Sequence, residues 1–307
     1  MPERTPLPST LRFIERDWLS SNQVIGIDDG IATVVDTGYV KHAPQTVALV
    51  EQTLQEAGAE RLGRIVNTHL HSDHCGGNHA LAEAFGCTTT IPQASAPEVA
   101  VWDSTVLTYS ATGQRCPRFS FDATLAPGDR LRLGGLDWQA IAAPGHDPKS
   151  LIFHCPDARL LISADALWGN GFGVLFPELQ GESGFAEQQT VLDLIAGLRV
   201  TQALPGHGPP IADVPAALDR AQARLDAMRG EPRRHARHAI KVLVKFLMLD
   251  LERIDADELM QRLLQARLMR TSADLLGVEP DALLRGSIDE LVEQRQLRRD
   301  GRWLMNV

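Results

Sequence analysis

The stretch Thr68-His69-Leu70-His71-Ser72-Asp73-His74-Cys75-Gly76-Gly77 limits the fold of this chain more than any other. It follows RIVNTH (64–69), a strand pattern that ends on a histidine. His69 and His71 are two apart at that strand end, so both rings can point to one side. Asp73 and His74 lie past the strand, where the chain turns, and can face a second point. Gly76 and Gly77 let backbone approach closely and open the next helical run, NHALAEAF. Neutral imidazoles suit zinc, iron or cobalt, and carboxylates complete such a donor set. Three later residues share the setting. His146 follows a strand in APGH, Asp165 ends the apolar run LLISAD, and His207 follows a strand in LPGHG. Five histidines and two aspartates suffice for two metal ions, each with an open position.

Around these sites the pattern alternates. Strands are predicted at 23–36 about an Asp28-Asp29-Gly30 turn, at 87–91, within 119–143, at 151–165 about Pro156-Asp157, and at 200–204. Helices are predicted at 44–57 and 186–198. Residues 92–118 lack periodicity and read as a lid or insertion. Frequent hairpins among helices predict a layered α/β protein with mixed sheets. Near Arg229 the composition shifts to a basic run, RGEPRRHARH, read as a connection or exposed helix start. Helices are predicted at about 237–250, 255–268 and 284–296, then a hairpin at Asp300-Gly301. The boundaries are set at 1–228 and 229–307, the second unit being mainly helical and winged-helix-like.

The ordered set resembles the metallo-β-lactamase-fold hydrolase superfamily. Its HxHxDH motif falls on residues 69–74, and its later motifs fall on His146, Asp165 and His207. The likeness covers about 23–210 and implies a four-layer αββα sandwich with metals at one edge of the two sheets. It implies that His69, His71 and His146 hold one divalent ion. Asp73, His74 and His207 hold the other, and Asp165 bridges them. Asp36, in VVDTG, matches an aspartate that supports the site from behind. Zn2+ is the expected ion, with Fe or Mn compatible. Two cations sharing a water make hydroxide available at neutral pH, with Asp73 as the catalytic carboxylate that orients it and takes its proton.

The expected reaction is hydrolysis of a small ester or thioester, as in hydroxyacylglutathione hydrolase (glyoxalase II) or a lactonase. The tail does not match that family's glutathione-binding region. A metallo-endoribonuclease and a mononuclear-iron persulfide dioxygenase are the alternatives, and a regulatory binding module is disfavoured by the intact donor set. A true β-lactamase is disfavoured by Asp165. Nucleic acid is an unfavoured partner: net charge is −9, and residues 231–307 carry 14 basic against 13 acidic side chains. No apolar stretch is long enough for a membrane span, no signal is read at the start, and four cysteines without a CxxC pair fit the reducing cytoplasm. Lys149, three residues after His146, is read either as a contact for an anionic substrate group or as a surface lysine on a turn. Cys75 is read as pointing away from the metals, His79 as a surface or supporting residue, and His42, His235 and His238 as solvated. The tail's apolar stripe, Ile240, Leu243, Val244, Leu247 and Leu251, needs cover. It is expected to dock beside the metal cleft, or to serve a homodimer.

Overall fold

The computed structural model describes residues 6–179 and 181–307. Met1–Thr5, where no signal is read, and Gln180 lie outside the described residues. Six strands form one sheet in chain order: β1 (Leu11–Ile14), β2 (Gln23–Asp28), β3 (Ile31–Val35), β4 (Arg61–Val66), β5 (Thr88–Pro92) and β6 (Ala123–Leu125). β1 to β3 are antiparallel; β3 to β6 run parallel. The β2–β3 turn puts Asp29 and Gly30 at φ 48° and 81°. Both are left-handed, as the tightest hairpins require. A second sheet holds β7 (Arg130–Leu133), β8 (Leu136–Ala142), β9 (Leu151–Cys155), β10 (Leu160–Ala164) and β11 (Gln202–Pro205), in the order β11-β10-β9-β8-β7. Only its β10–β11 pair is parallel.

Strand alternation sorts the side chains into layers. Val24, Val35, Val66, Phe153, Ile162 and Leu204 meet between the two sheets. Their chain neighbours Ile25, Val34 and Ile65 face outward to helices Ala43–Ala57 and Asn78–Phe85, against Val50, Leu54 and Leu81. Ile152, Leu161 and Ala203 face helices Phe185–Gly197 and Val214–Gly230. The result is the expected four-layer αββα sandwich. Sheets covered on both faces explain strands such as IATVV, apolar except for Thr33 and buried from Ala32 to Val35.

The sequence reading assigned nothing to Val214–Gly230. Its buried stripe, Val214, Ala217, Ala221, Leu225 and Met228, has small alanines at its centre and gives a weak apolar signal. Asp213 Oδ1 accepts the Ala216 N–H at 3.1 Å and caps this helix.

The tail has four helices where three were expected: Pro232–Leu251, Ala256–Leu264, Arg267–Leu276 and Pro280–Glu293. The 255–268 segment breaks because Leu263 and Leu268 are five apart, which shifts the buried stripe, and Ala266 is extended. Strands β12 (Arg253–Asp255), β13 (Leu297–Asp300) and β14 (Trp303–Asn306) form a small antiparallel sheet, β12-β14-β13. The tail's apolar faces pack on one another and on Val174 and Leu179. The basic run proves to be the first turns of Pro232–Leu251. His235, expected in solvent, is buried, and its Nε2 donates to the Leu175 carbonyl at 3.1 Å. His42 is half-buried with Nδ1 3.0 Å from Ser20 Oγ, whereas His238 is exposed. Among the described residues, no helix is long and apolar enough to cross a membrane.

Candidate metal centre

Every aspartate and histidine of the expected set follows a strand end on one edge of the sandwich. Asp36 follows β3, His69 to His74 follow β4, His146 follows β8, Asp165 follows β10 and His207 follows β11. His69, His74, Asp165, Asp73, His146 and His207 are buried, and His71 is partly so. Three groups bring their donor atoms within 4.8 Å of one another: His69, His71 and His146; Asp73, His74 and His207; and His69, His74 and Asp165.

Hydrogen bonds fix which nitrogens face inward. The Val174 carbonyl can only accept, so His146 Nδ1 donates to it at 2.7 Å and Nε2 keeps its lone pair. Thr68 Oγ1 donates to Asp36 Oδ2 at 2.8 Å and therefore accepts from His69 Nδ1 at 3.1 Å, which leaves His69 Nε2 bare. Both bare nitrogens approach His71 Nδ1, at 2.8 and 3.1 Å. One ring proton cannot serve both contacts, so at least one brings two lone pairs together. That convergence suits a cation. On the other side, Asp36 Oδ2 accepts from His74 Nδ1 at 2.8 Å, and His74 Nε2 is buried without a hydrogen bond. Metal-binding histidines are oriented by such carboxylates. Asp36 itself is held at φ 59° and also accepts the Thr68 N–H at 2.9 Å.

Asp165 splits its oxygens. Oδ2 lies 3.3 Å from His146 Nε2, while Oδ1 lies 3.3 Å from His74 Nε2 and 3.8 Å from His207 Nε2. Asp73 Oδ2 lies 3.2 Å from His207 Nε2. The two sides differ electrostatically. Burial pushes His69 well below the ordinary imidazole range and His146 down to about 4. At His74 burial is outweighed by Asp165, Asp36 and Asp73, which raise it well above that range. At Asp165 the opposing effect of burial is outweighed by His74 and His207, which hold it well below the carboxylate range. Backbone fits closely too. A Cβ on Gly206 would overlap Asp165 Oδ1 and meet the His74 ring, and one on Gly173 would enter the His146 ring.

Several contributors escaped the sequence reading. Trp18 stacks on His207, with centroids 4.2 Å apart and planes within 9°. The Ser21 N–H donates to the Asp73 carbonyl, and Asn22 Nδ2 donates to the carbonyls of Pro205 and Gly208, tying both loops to one segment. Nothing in the sequence around Trp18 signals this; Thr68, beside His69, was the findable one. Trp168 did not escape the sequence reading: the glycine-rich loop 168–173 reads from sequence as a wall of the cleft or a plain turn, and Trp168 lines the cavity with its Nε1 donating to Asp165 Oδ1 at 3.1 Å. Lys149 Nζ pairs with Glu98 Oε1 at 2.6 Å and stands outside the residues that line the cleft, as the surface reading expects. Glu98, on Ala96–Val101, offers the nearer anion. Cys75 Sγ turns away from the cluster, 3.1 Å from Tyr109 Oη and 3.7 Å from Cys116 Sγ. His79 lines a separate depression of about 600 Å³ with Glu83 and Cys87.

The cluster floors a cavity of about 440 Å³. Thr105, Thr108 and Thr112 line one side, and the tail lines another through Val242, Leu243, Phe246 and Leu268. The expected docking of the tail beside the cleft is thus observed. A network pins it there. Tyr39 Oη donates to Asp250 Oδ2 at 2.9 Å, and Arg115 donates to both Asp250 oxygens. Lys41 Nζ reaches the carbonyls of Leu249 and Asp250 at the same helix end.

Residues 16–230 match the family model described as Metallo-beta-lactamase superfamily. The hydroxyacylglutathione hydrolase of Methylococcus capsulatus is 30% identical over 182 residues, 57% of this chain and 63% of its own length. That of Cereibacter sphaeroides is 32% identical over 169 residues, 54% and 56%. The matches thus span between half and two thirds of these relatives' length. Among solved structures, a metallo-beta-lactamase family protein from Thermus thermophilus aligns with 97% of this chain and 98% of its own, at TM-score 0.55 and 20% identity. A beta-lactamase domain protein from Burkholderia ambifaria aligns over 99% and 94%, at 0.59 and 18%. These two likenesses extend the shared fold through the tail.

Proposed function

The chain belongs to the metallo-beta-lactamase superfamily, and we propose that it is a dinuclear metallohydrolase acting on small esters or thioesters. The family implies divalent metal; the donor chemistry fits it, and zinc is the ion proposed. His69, His71 and His146 would hold one ion, Asp73, His74 and His207 the other, with Asp165 shared. The observation that carries the reading is the split of Asp165, one oxygen toward each imidazole group. Metal bound there supplies Lewis acidity and an activated water at neutral pH.

The chain's own groups do the rest. Asp73 lines the cavity, where its carboxylate can orient the attacking water and take its proton. Asp36 and Thr68 keep His74 and His69 in one tautomer, so their lone pairs face the centre. Residues 1–228 would form the metallohydrolase unit and 229–307 a second unit that shapes its cleft. The curated relatives named as hydroxyacylglutathione hydrolases support acyl chemistry, as does the acidic surface, which disfavours a polyanionic substrate.

The test uses the full chain loaded with zinc. Hydrolysis of p-nitrophenyl acetate or an acyl thioester, abolished by chelation and restored by metal, is expected, with single-stranded RNA left intact at physiological salt. Metal-dependent RNA cleavage without acyl hydrolysis would overturn the reading. So would persulfide oxidation by a chain carrying one iron.

A further inference from the structure

We infer that the tail makes the cleft a site for an apolar acyl chain, so that the substrates are esters or thioesters of medium-chain carboxylic acids. The inference rests on the ester or thioester reading above. The cavity volume of about 440 Å³ lies within the ~300–1,000 Å³ of small-molecule sites. Its floor is polar, made by His71, Asp73, His146 and Asp165. From that floor rises an apolar wall. Val242, Leu243 and Phe246 project from one face of Pro232–Leu251, and Leu268 joins them from Arg267–Leu276. Val174 and Phe176 face the same space from the loop beyond β10. Phe176 and Val242 are only half-buried, so apolar surface is left for a ligand to cover.

This layout places a reacting carbonyl over the histidine–aspartate floor and its alkyl chain against the tail. It does not suit a glutathione conjugate. The glutathione group carries two carboxylates and an ammonium, while the described lining offers one basic side chain, Arg267. The remaining charge outside the floor is Glu182. Full burial of a methylene corresponds to about a fourfold gain in affinity, and burial against one wall to about twofold.

Two readouts on the zinc-loaded full chain test this. Binding of acetate, butyrate and octanoate is followed by tryptophan fluorescence, since Trp18 and Trp168 line the cavity. Hydrolysis of p-nitrophenyl esters of the same acids gives kcat/KM. Octanoate is expected to bind at least about thirtyfold tighter than acetate, with kcat/KM rising in parallel. Val242→Glu should flatten both series to within about threefold. Phe246→Ala, which removes apolar area without adding charge, should weaken both series by about tenfold at octanoate and serves if Val242→Glu does not fold. Equal affinity for acetate and octanoate, with short esters still hydrolysed, overturns the inference and leaves the proposed reaction intact. A tenfold preference for a hydroxyacylglutathione thioester over the octanoyl ester also overturns it. Chain-length-dependent binding with no ester or thioester turned over supports the site and sinks the reaction.

Discussion

The tail's grip on the cleft can be measured through Tyr39→Phe. Tyr39 is fully buried, with its ring edge-on to Phe246 at 5.3 Å. Phenylalanine keeps that packing and removes only the hydroxyl. Lost with it are the 2.9 Å bond to Asp250 Oδ2 and the acceptor of the Arg115 N–H at 3.1 Å. A hydrogen bond to a charged group contributes about 1.5–3 kcal/mol. Asp250 keeps its two bonds from Arg115, so the expected loss is about 2 kcal/mol. In a chain of this size that lowers Tm by roughly 4 °C. A double-mutant cycle with Asp250→Ala, which removes the acceptor, measures the pair, and a coupling of about 1.5 kcal/mol is expected from denaturant unfolding of the metal-loaded chain. Loosening the wall should also reduce the octanoate preference. Coupling below about 0.5 kcal/mol with unchanged Tm would refute the claim that this contact holds the tail in place.

Other outcomes follow from the same geometry. Removing metal with a chelator should lower Tm by roughly 8 °C or more, since a ligand at a thousand times its Kd stabilises by about 4 kcal/mol; a Tm unmoved by chelation would mean the donors hold no ion. Gly206→Ala should cut metal occupancy in elemental analysis while far-UV circular dichroism is kept, because the new methyl group has no room beside Asp165 and His74. Lys149→Ala should leave kcat/KM unchanged and lose about 1 kcal/mol or less, as expected of a partly exposed ion pair; a tenfold rise in KM would restore Lys149 to the substrate.

The layers and the donor cluster were legible because their signals are local. Apolar strands announce sheets covered on both faces, and the spacing of His69, His71, Asp73 and His74 is itself a geometric statement. What stayed hidden depends on distant partners. Trp18 meets His207 only after the chain has closed on itself, and no spacing marks that stacking. Glu98 pairs with Lys149 across 51 positions, a partner that closeness to His146 in sequence does not reveal. His235 sits in a basic run yet faces inward, since it falls on the same helix face as Ala236, Ala239 and Ile240. The weak stripe of Val214–Gly230, with Ala217 and Ala221 at its centre, leaves little apolar contrast to read, and the break at Ala266 is a change of phase between two apolar faces that a single periodic pattern runs together.

The central claim is that Asp165 joins two ions in one reactive centre, and metal stoichiometry tests it most directly. The chain purified without added metal, then its Asp165→Ala variant, are measured by elemental analysis beside p-nitrophenyl ester hydrolysis. Two equivalents of redox-inert metal are expected in the parent. In the variant, occupancy should fall and activity should drop by at least about a hundredfold, with the fold retained. Two full equivalents and near-normal turnover in Asp165→Ala would contradict the account, as would a single iron in the parent.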